Sequence, residues 1–380
     1  MEKAYPILDG HVHYAWPVTH ESLTESLSLS GADLVNLAAL PGCSRLNPTL
    51  DILTYKHAHP GKVFAFGCLD CTAYGHTANL GKAFAKHAAR LLSLGCDGVK
   101  LLEGKPTMRR AYPIPDFDDA KWEPFWAYAE ETRLPLLWHV NDPETFWHPE
   151  QLPAFARSCG WGYGKGDVDN EAQYRQIRNV LERHPLLNVT FAHMFFLSNQ
   201  LIRLTEWMDS FPGMRVDLTP GIELYENLSA KPEEARAFFD RFPDRIQYGT
   251  DIGGRAVLNE KTPKLNRNEA VLRAKYCRFF LTEKASMGIR ADGDFLIGAE
   301  PFVLHGLGLP EEALEKIFYR NFLAFVGHDT PVPVDAAACK KECARERKLL
   351  ESYCARMDLE PDERALDAAE RYFTEAARRK

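Results

Sequence analysis

The sequence predicts an α/β protein, a TIM-type (β/α)8 barrel with a C-terminal helical extension. Three observations predict it: strand-like and helix-like segments alternate along the chain, the strand-like segments number eight, and histidines rather than a Gly-rich phosphate loop follow the first strand. Regular alternation favours a parallel sheet with right-handed crossovers, and eight such units close into a barrel. An open doubly wound sheet is the competing fold, but it would place glycines where this chain has histidines.

The eight predicted strands are short apolar runs bounded by turn residues. They are Tyr5–His13, Asp33–Leu40, Val63–Leu69, Gly98–Glu103, Leu134–Val140, Asn188–His193, Met214–Thr219 and Ile246–Ile252. Helical periodicity is clearest between them in Ala78–Leu94, Asp119–Thr132, Glu171–Arg183, Asn199–Ser210 and Pro232–Phe242. Two later helical segments, Asn268–Met287 and Pro310–Val326, are expected to complete the outer ring.

The composition is that of a globular protein with a small-molecule partner. Hydrophobic residues make up 45% and charged residues 26% of the 380 residues, and no apolar run approaches the roughly 20 residues that span a bilayer. A net charge of -7 without a clustered basic stretch predicts no nucleic-acid partner. The chain enters its first strand almost at once, and its nine cysteines show no paired framework, so we expect reduced thiols and a cytoplasmic protein.

The chain is expected to divide into a barrel at residues 1–327 and a linker with a helical tail at residues 328–380. Prolines mark the linker, and the tail is highly charged. One face of the tail helix carries an apolar stripe formed by Cys339, Cys343, Leu350 and Cys354. Such a stripe is typical of a helix packed on its own domain or on a partner subunit, which leaves a homo-oligomer open.

The chemistry is expected where the strands end. His11 and His13 are one residue apart on a strand, so both side chains point to one face. His139, His193 and Asp251 close the fifth, sixth and eighth predicted strands. The C-terminal strand ends of such a barrel gather at one mouth. Imidazoles with a carboxylate suit zinc, with manganese, iron or cobalt as alternatives, and leave a position for water.

These motifs resemble the amidohydrolase superfamily, in particular its amidohydrolase-2 branch of metal-dependent hydrolases and decarboxylases. The resemblance extends over about residues 5–327 and rests on His-Val-His after the first strand, Gly-Val-Lys-Leu on the fourth, and Gly-Thr-Asp on the eighth. It implies a single divalent metal held by His11, His13, His139 and Asp251. It also implies that His193 is an acid-base or carbonyl-polarising residue.

Two reactions follow from this resemblance. In the first, a metal-activated water attacks an amide, ester or lactone bond of a small, carboxylate-bearing substrate, and Asp251 transfers the proton. In the second, the same site catalyses non-oxidative decarboxylation. A catalytically silent barrel that binds a metal or ligand is the third hypothesis.

Three cationic side chains are candidates for substrate binding. Arg45 and Arg255 lie in loops after the second and eighth strands, where a guanidinium can grip a carboxylate. Lys100 on the fourth strand could bind an anion, pair with Glu103 or, as in some superfamily members, be carbamylated and bridge two metals. The long loop at residues 141–169, rich in glycine and aromatic residues, is interpreted as a specificity loop or as packing for an irregular crossover.

Overall fold

The computed structural model describes residues 5–41, 46–254, 264–290, 298 and 300–378. Eight parallel strands lie in the order β1 to β8, so each strand pairs with its neighbours in sequence. A parallel bridge between Val12 and Ile252 joins the first strand to the segment after the last and closes the sheet. The predicted (β/α)8 barrel and the helices that follow it are confirmed.

The strands agree with the eight predicted segments; seven are shorter than predicted, and β4 extends one residue further. They are β1 Leu8–Val12, β2 Leu34–Ala38, β3 Val63–Cys68, β4 Gly98–Gly104, β5 Leu136–Val140, β6 Val189–Phe191, β7 Met214–Asp217 and β8 Ile246–Gln247. The α-helices of the barrel are His20–Ser30, Thr49–Ala58, Leu80–Leu94, Pro106–Ala111, Glu123–Glu131, Ala154–Ser158, Asn170–Arg183, Leu201–Ser210, Leu224–Ala230, Pro232–Arg241, Arg267–Thr282, Glu311–Glu315 and Asn321–Val326. A π-helical turn, Lys316–Arg320, joins the last two helices.

Apolar side chains fill the barrel on both sides of the sheet. Strand residues that point outward pack against the helices in one large core. Residues that point inward near the strand N-termini form a second cluster, which Phe322 and Phe325 of the helix Asn321–Val326 close from below. The candidate polar residues lie beyond this filling, at the C-terminal ends of the strands.

One predicted helix is wrong at its C-terminal end. The sequence predicts a helix throughout Asn268–Met287, but the helix ends at Thr282 and Ser286–Ile289 forms a strand. That strand pairs antiparallel with Phe302–His305. The periodicity of a short segment cannot reveal a strand partner that lies more than ten residues further along the chain.

The C-terminal tail folds into two helices, Ala336–Met357 and Arg364–Arg378. They contact the barrel helices Thr49–Ala58 and Leu80–Leu94, where the Nε of Arg90 donates to Glu342 Oε1 at 2.9 Å. Cys339 and Cys343 of the apolar stripe are fully buried in the main core. The stripe therefore faces the barrel of its own chain, and the oligomeric state stays a prediction.

The cysteines of the described residues are free thiols. Cys68 and Cys71 have the C-x-x-C spacing, but both are buried, and burial raises the pKa of each thiol well above its usual value. Neither is therefore a reactive thiolate at neutral pH. Within the described residues, no helix has the length and apolar character that crossing a membrane requires.

Candidate functional site

A pocket opens at the C-terminal ends of the strands. Its inner end is polar and holds all five candidate residues, which the chain delivers from the ends of four strands. Its outer wall is apolar and largely aromatic. The lining side chains are His11, His13, Leu40, Lys100, Leu102, Lys105, His139, Asp142, Pro143, Phe146, Phe155, Trp161, His193, Phe196, Pro220, Ile222 and Asp251.

His11 and His13 are held in defined tautomers at the end of β1. The Nδ1 of His11 lies 2.7 Å from Asp217 Oδ2, and the Nδ1 of His13 lies 2.7 Å from the carbonyl oxygen of Ala38. Carboxylate and carbonyl oxygens accept hydrogen bonds, so each Nδ1 carries the hydrogen and each Nε2 presents a lone pair. Burial, with Lys100 close by, lowers the pKa of His11 to about 3, which keeps its ring neutral.

Asp251 joins this pair because the chain after β8 runs alongside β1. Its backbone N–H donates to the carbonyl of His11 at 2.8 Å, and its φ of 56° lies in the left-handed region. Gly249 allows this approach, since a Cβ there would lie 3.0 Å from the Cβ of His11. Burial alone would raise the pKa of Asp251, but His13 and Arg273 hold it well below its usual range.

The geometry of these three side chains fits a divalent cation. Their donor atoms all lie within 4.8 Å of one another. The Nε2 of His13 and Oδ1 of Asp251 are 3.0 Å apart although both present electron pairs. A shared cation stabilises two such donors at this distance, and two imidazoles with a carboxylate suit zinc. His11, His13 and Asp251 are therefore the residues that would hold the metal.

His139 and His193 line the same pocket from β5 and β6, with ring centroids 5.1 Å apart. The Nε2 of His139 is buried without a hydrogen-bond partner among the described residues and lies 3.4 Å from Asp142 Oδ1. His139 is outside the group of three whose donor atoms lie within 4.8 Å, so its role as a fourth ligand stays a prediction.

His193 is neutral and oriented by its Nδ1. Burial, together with the nearby His139, lowers the pKa of His193 to about 4. Its Nδ1 lies 3.1 Å from the carbonyl oxygen of Thr219, so this nitrogen carries the hydrogen. Neutral His193 therefore presents a lone pair at Nε2, which suits a proton acceptor better than a donor to a substrate carbonyl.

Lys100 points into the inner end of the pocket. Its Nζ lies 3.0 Å from His11 Nε2, and burial lowers the pKa of the ammonium group to about 8. The expected alternative, an ion pair with Glu103, is absent from the described contacts. Arg45 and Arg255, the other expected substrate-binding residues, lie outside the described residues.

Sequence reasoning missed several polar residues of the mouth. Asp217, at the end of β7, orients His11 and also accepts the backbone N–H of His193 at 2.8 Å. The strand-end rule that found Asp251 could have found Asp217 as well. The same rule could not have found Arg273, because this residue belongs to a later helix. Its Nη1 donates to Asp251 Oδ2 at 3.1 Å. Lys105 and Asp142 form a buried ion pair at 2.6 Å that only the fold brings together.

A family model described as amidohydrolase, of the amidohydrolase-2 branch, matches residues 49–327, which is more than half of the chain. The chain belongs to this family, whose members are enzymes. The resemblance stated from the sequence is thereby confirmed. No curated protein matches the sequence.

Solved structures share the fold at low identity. An uncharacterised TIM-barrel protein from Bordetella bronchiseptica is 16% identical with a TM-score of 0.53 over 85% of this chain and 99% of its own. A structure titled as a putative amidohydrolase from Staphylococcus aureus is 15% identical, with a TM-score of 0.51 over 84% and 99%. A 2,6-dihydroxybenzoate decarboxylase complexed with 2,6-dihydroxybenzoate is 14% identical, with a TM-score of 0.50 over 85% and 99%. At these identities the likeness establishes the fold.

Proposed function

We propose that the protein is a metal-dependent hydrolase that cleaves an amide, ester or lactone bond of a small, carboxylate-bearing substrate. The observation that carries the proposal is the cluster of His11, His13 and Asp251 at the inner end of the pocket. Zinc is the first candidate for its metal. A divalent cation there would lower the pKa of a bound water from about 16 towards roughly 7.

The protein's own side chains supply the proton transfers. The carboxylate of Asp251 stays ionised because its pKa is held below its usual range, and it accepts a proton from the attacking water. The Nε2 lone pair of His193, whose ring centroid lies 5.9 Å from that of His11, is a second acceptor. Once protonated, His193 can polarise the scissile carbonyl or return the proton to the leaving group.

Asp251→Asn tests this role, because asparagine keeps an oxygen ligand but is not a base. In the zinc-loaded variant we expect turnover to fall by about 10²- to 10⁴-fold while bound zinc stays close to one ion per chain. Turnover is followed as acid release from a panel of lactones, esters and amides, and zinc by elemental analysis. Unchanged turnover with zinc bound would remove the proton-transfer role from Asp251.

Decarboxylation is the second candidate, and Lys100 is the observation that favours it. Its ammonium group at the inner end can hold a substrate carboxylate beside the histidines, where Asp251 or water would protonate the carbon that loses carbon dioxide. The two reactions separate in one assay that follows both acid release and carbon dioxide. Carbon dioxide from aromatic or enol carboxylic acids, without hydrolysis of the panel, would replace the hydrolase by a decarboxylase.

A further inference from the structure

Arg273 is a buried cation that contacts the metal-binding cluster from outside the pocket. It lies in the helix Arg267–Thr282, and its side chain is fully buried. Among the described residues it is not one of those that line the pocket. A guanidinium is rarely buried unless its charge is paired and its N–H groups find acceptors. The contacts of Arg273 therefore indicate what this position requires.

One nitrogen of Arg273 binds three oxygens at the end of the eighth strand segment. Its Nη1 donates to the carbonyl oxygens of Thr250 and Asp251, at 2.9 and 3.0 Å, and to Asp251 Oδ2 at 3.1 Å. Asp251 has a φ of 56°, and a residue with a Cβ keeps such a left-handed conformation only where surrounding contacts support it. The three contacts of Nη1 give that support.

Strand pairing fixes the backbone of this segment but not the carboxylate. The N–H of Asp251 donates to the carbonyl of His11, and the N–H of His13 donates to the carbonyl of Ile252, both at 2.8 Å. Neither bond restrains rotation of the Asp251 side chain about χ1. Arg273 restrains it, because it binds Oδ2 while Oδ1 lies 3.0 Å from His13 Nε2 and 4.0 Å from His11 Nε2. The two carboxylate oxygens thus have separate partners, the guanidinium and the cluster.

The charge of Arg273 by itself would oppose a metal ion. A guanidinium beside the Asp251 carboxylate repels a cation that binds the same carboxylate. Glu269, one turn earlier on the helix, offsets this charge, since it is buried and its Oε1 lies 3.5 Å from the Nε of Arg273. A paired guanidinium that still donates to the carboxylate fits a role in orienting this side chain rather than in supplying charge.

We propose that Arg273 is a positioning residue, which holds the Asp251 carboxylate with Oδ1 directed at the metal position. The inference deepens the proposed function and rests on its metal site. In the metal-free protein, Oδ1 and the Nε2 of His13 both present electron pairs and repel each other at 3.0 Å. The hydrogen bond from Arg273 to Oδ2 keeps the carboxylate in place against this repulsion, so the site is organised before a cation binds.

The main test is the double variant Glu269→Gln with Arg273→Met, which removes one charge of each sign and leaves the net charge unchanged. We expect its zinc affinity, measured by competition with a chromophoric chelator, to fall by about 10- to 100-fold. Lys275→Met is the control, because Lys275 is an exposed cation of the same helix, and it should stay within about twofold of the parent protein. Parent-like zinc affinity in the folded double variant would overturn the inference.

Arg273→Lys separates the contact from the charge. Lysine keeps the positive charge beside Glu269, but its Nζ ends one bond short of the position of Nη1. We expect a zinc affinity close to that of the double variant. Parent-like affinity in Arg273→Lys would mean that the charge suffices, and the positioning role would be wrong. Because it keeps the ion pair, this variant also decides the question if the double variant does not fold.

Crystal structures of the metal-free parent protein and of the metal-free variants give a readout that needs neither zinc nor turnover. The distance between Asp251 Oδ1 and His13 Nε2 should exceed 3.0 Å in the variants that lack the Nη1 contacts. An unchanged distance would contradict the inference. A parent protein that binds zinc but hydrolyses nothing would contradict only the proposed function, and the metal-free structures would still decide the role of Arg273.

Discussion

Asp217 determines which nitrogen of His11 faces the cluster. Its Oδ2 accepts a hydrogen bond from the Nδ1 of His11, with the two atoms 2.7 Å apart. The Nε2 lone pair of His11 is then left for a metal. Burial alone would raise the pKa of Asp217, but His11 keeps it below its usual range, so the acceptor stays charged. Carboxylates that orient a metal-binding histidine in this way strengthen the site without touching the ion.

Asp217→Asn should therefore weaken zinc binding by about 10- to 100-fold. The measurement is competition with a chromophoric chelator at fixed pH. Asp329→Asn is the control, since Asp329 is exposed and distant in sequence from every site residue. Unchanged zinc affinity in Asp217→Asn would show that His11 keeps its orientation without this carboxylate.

We expect Glu103 to make the free energy of unfolding depend on pH. It is buried, its Oε2 has no hydrogen-bond partner in the described part of the chain, and burial raises its pKa from 4.5 to about 7. A carboxyl group whose pKa is higher in the folded state binds more protons when folded. Its contribution to stability therefore falls as pH rises from about 4.5 through about 7.

Glu103→Gln should remove this loss. Relative to the parent protein, the variant is expected to gain on the order of 3 kcal/mol of unfolding free energy between pH 4.5 and pH 8. Urea denaturation at several pH values measures the difference, with exposed Glu131→Gln as the control. A constant difference between the variant and the parent protein across this range would show that Glu103 ionises normally.

At the scale of elements, the tail helices belong to the barrel's own packing. Phe373 of the helix Arg364–Arg378 is fully buried. Its ring centroid lies 6.4 Å from that of His57 in the barrel helix Thr49–Ala58. A buried phenylalanine that joins two helices contributes to both the position of the tail and the stability of the chain.

Phe373→Ala should cost about 3–5 kcal/mol of unfolding free energy and loosen the tail. Urea denaturation reports the first effect, and hydrogen exchange of residues 336–378 reports the second. Glu375→Ala changes an exposed residue of the same helix and should have little effect. Equal exchange in both variants would show that this contact does not hold the tail.

At the scale of the whole molecule, metal binding should stabilise the fold, because the cluster joins the two ends of the barrel sheet. Zinc at 100-fold over its dissociation constant is expected to add about 2.7 kcal/mol of unfolding free energy. Thermal melts with zinc and with a chelator measure this shift. His13→Ala should lose most of it, and an equal shift in that variant would place the zinc elsewhere.

The sequence by itself determined the eight strands, the barrel that they form and the positions of His11, His13 and Asp251 at strand ends that meet in one pocket. Short apolar runs and polar residues at strand ends are local signals, and eight parallel units have one common closure. Only the tertiary structure decided the contacts from Asp217 and Arg273, the Lys105–Asp142 pair beneath Trp161 and the antiparallel strand Ser286–Ile289. Each of these joins residues far apart in sequence, where no local pattern records which side chains will meet.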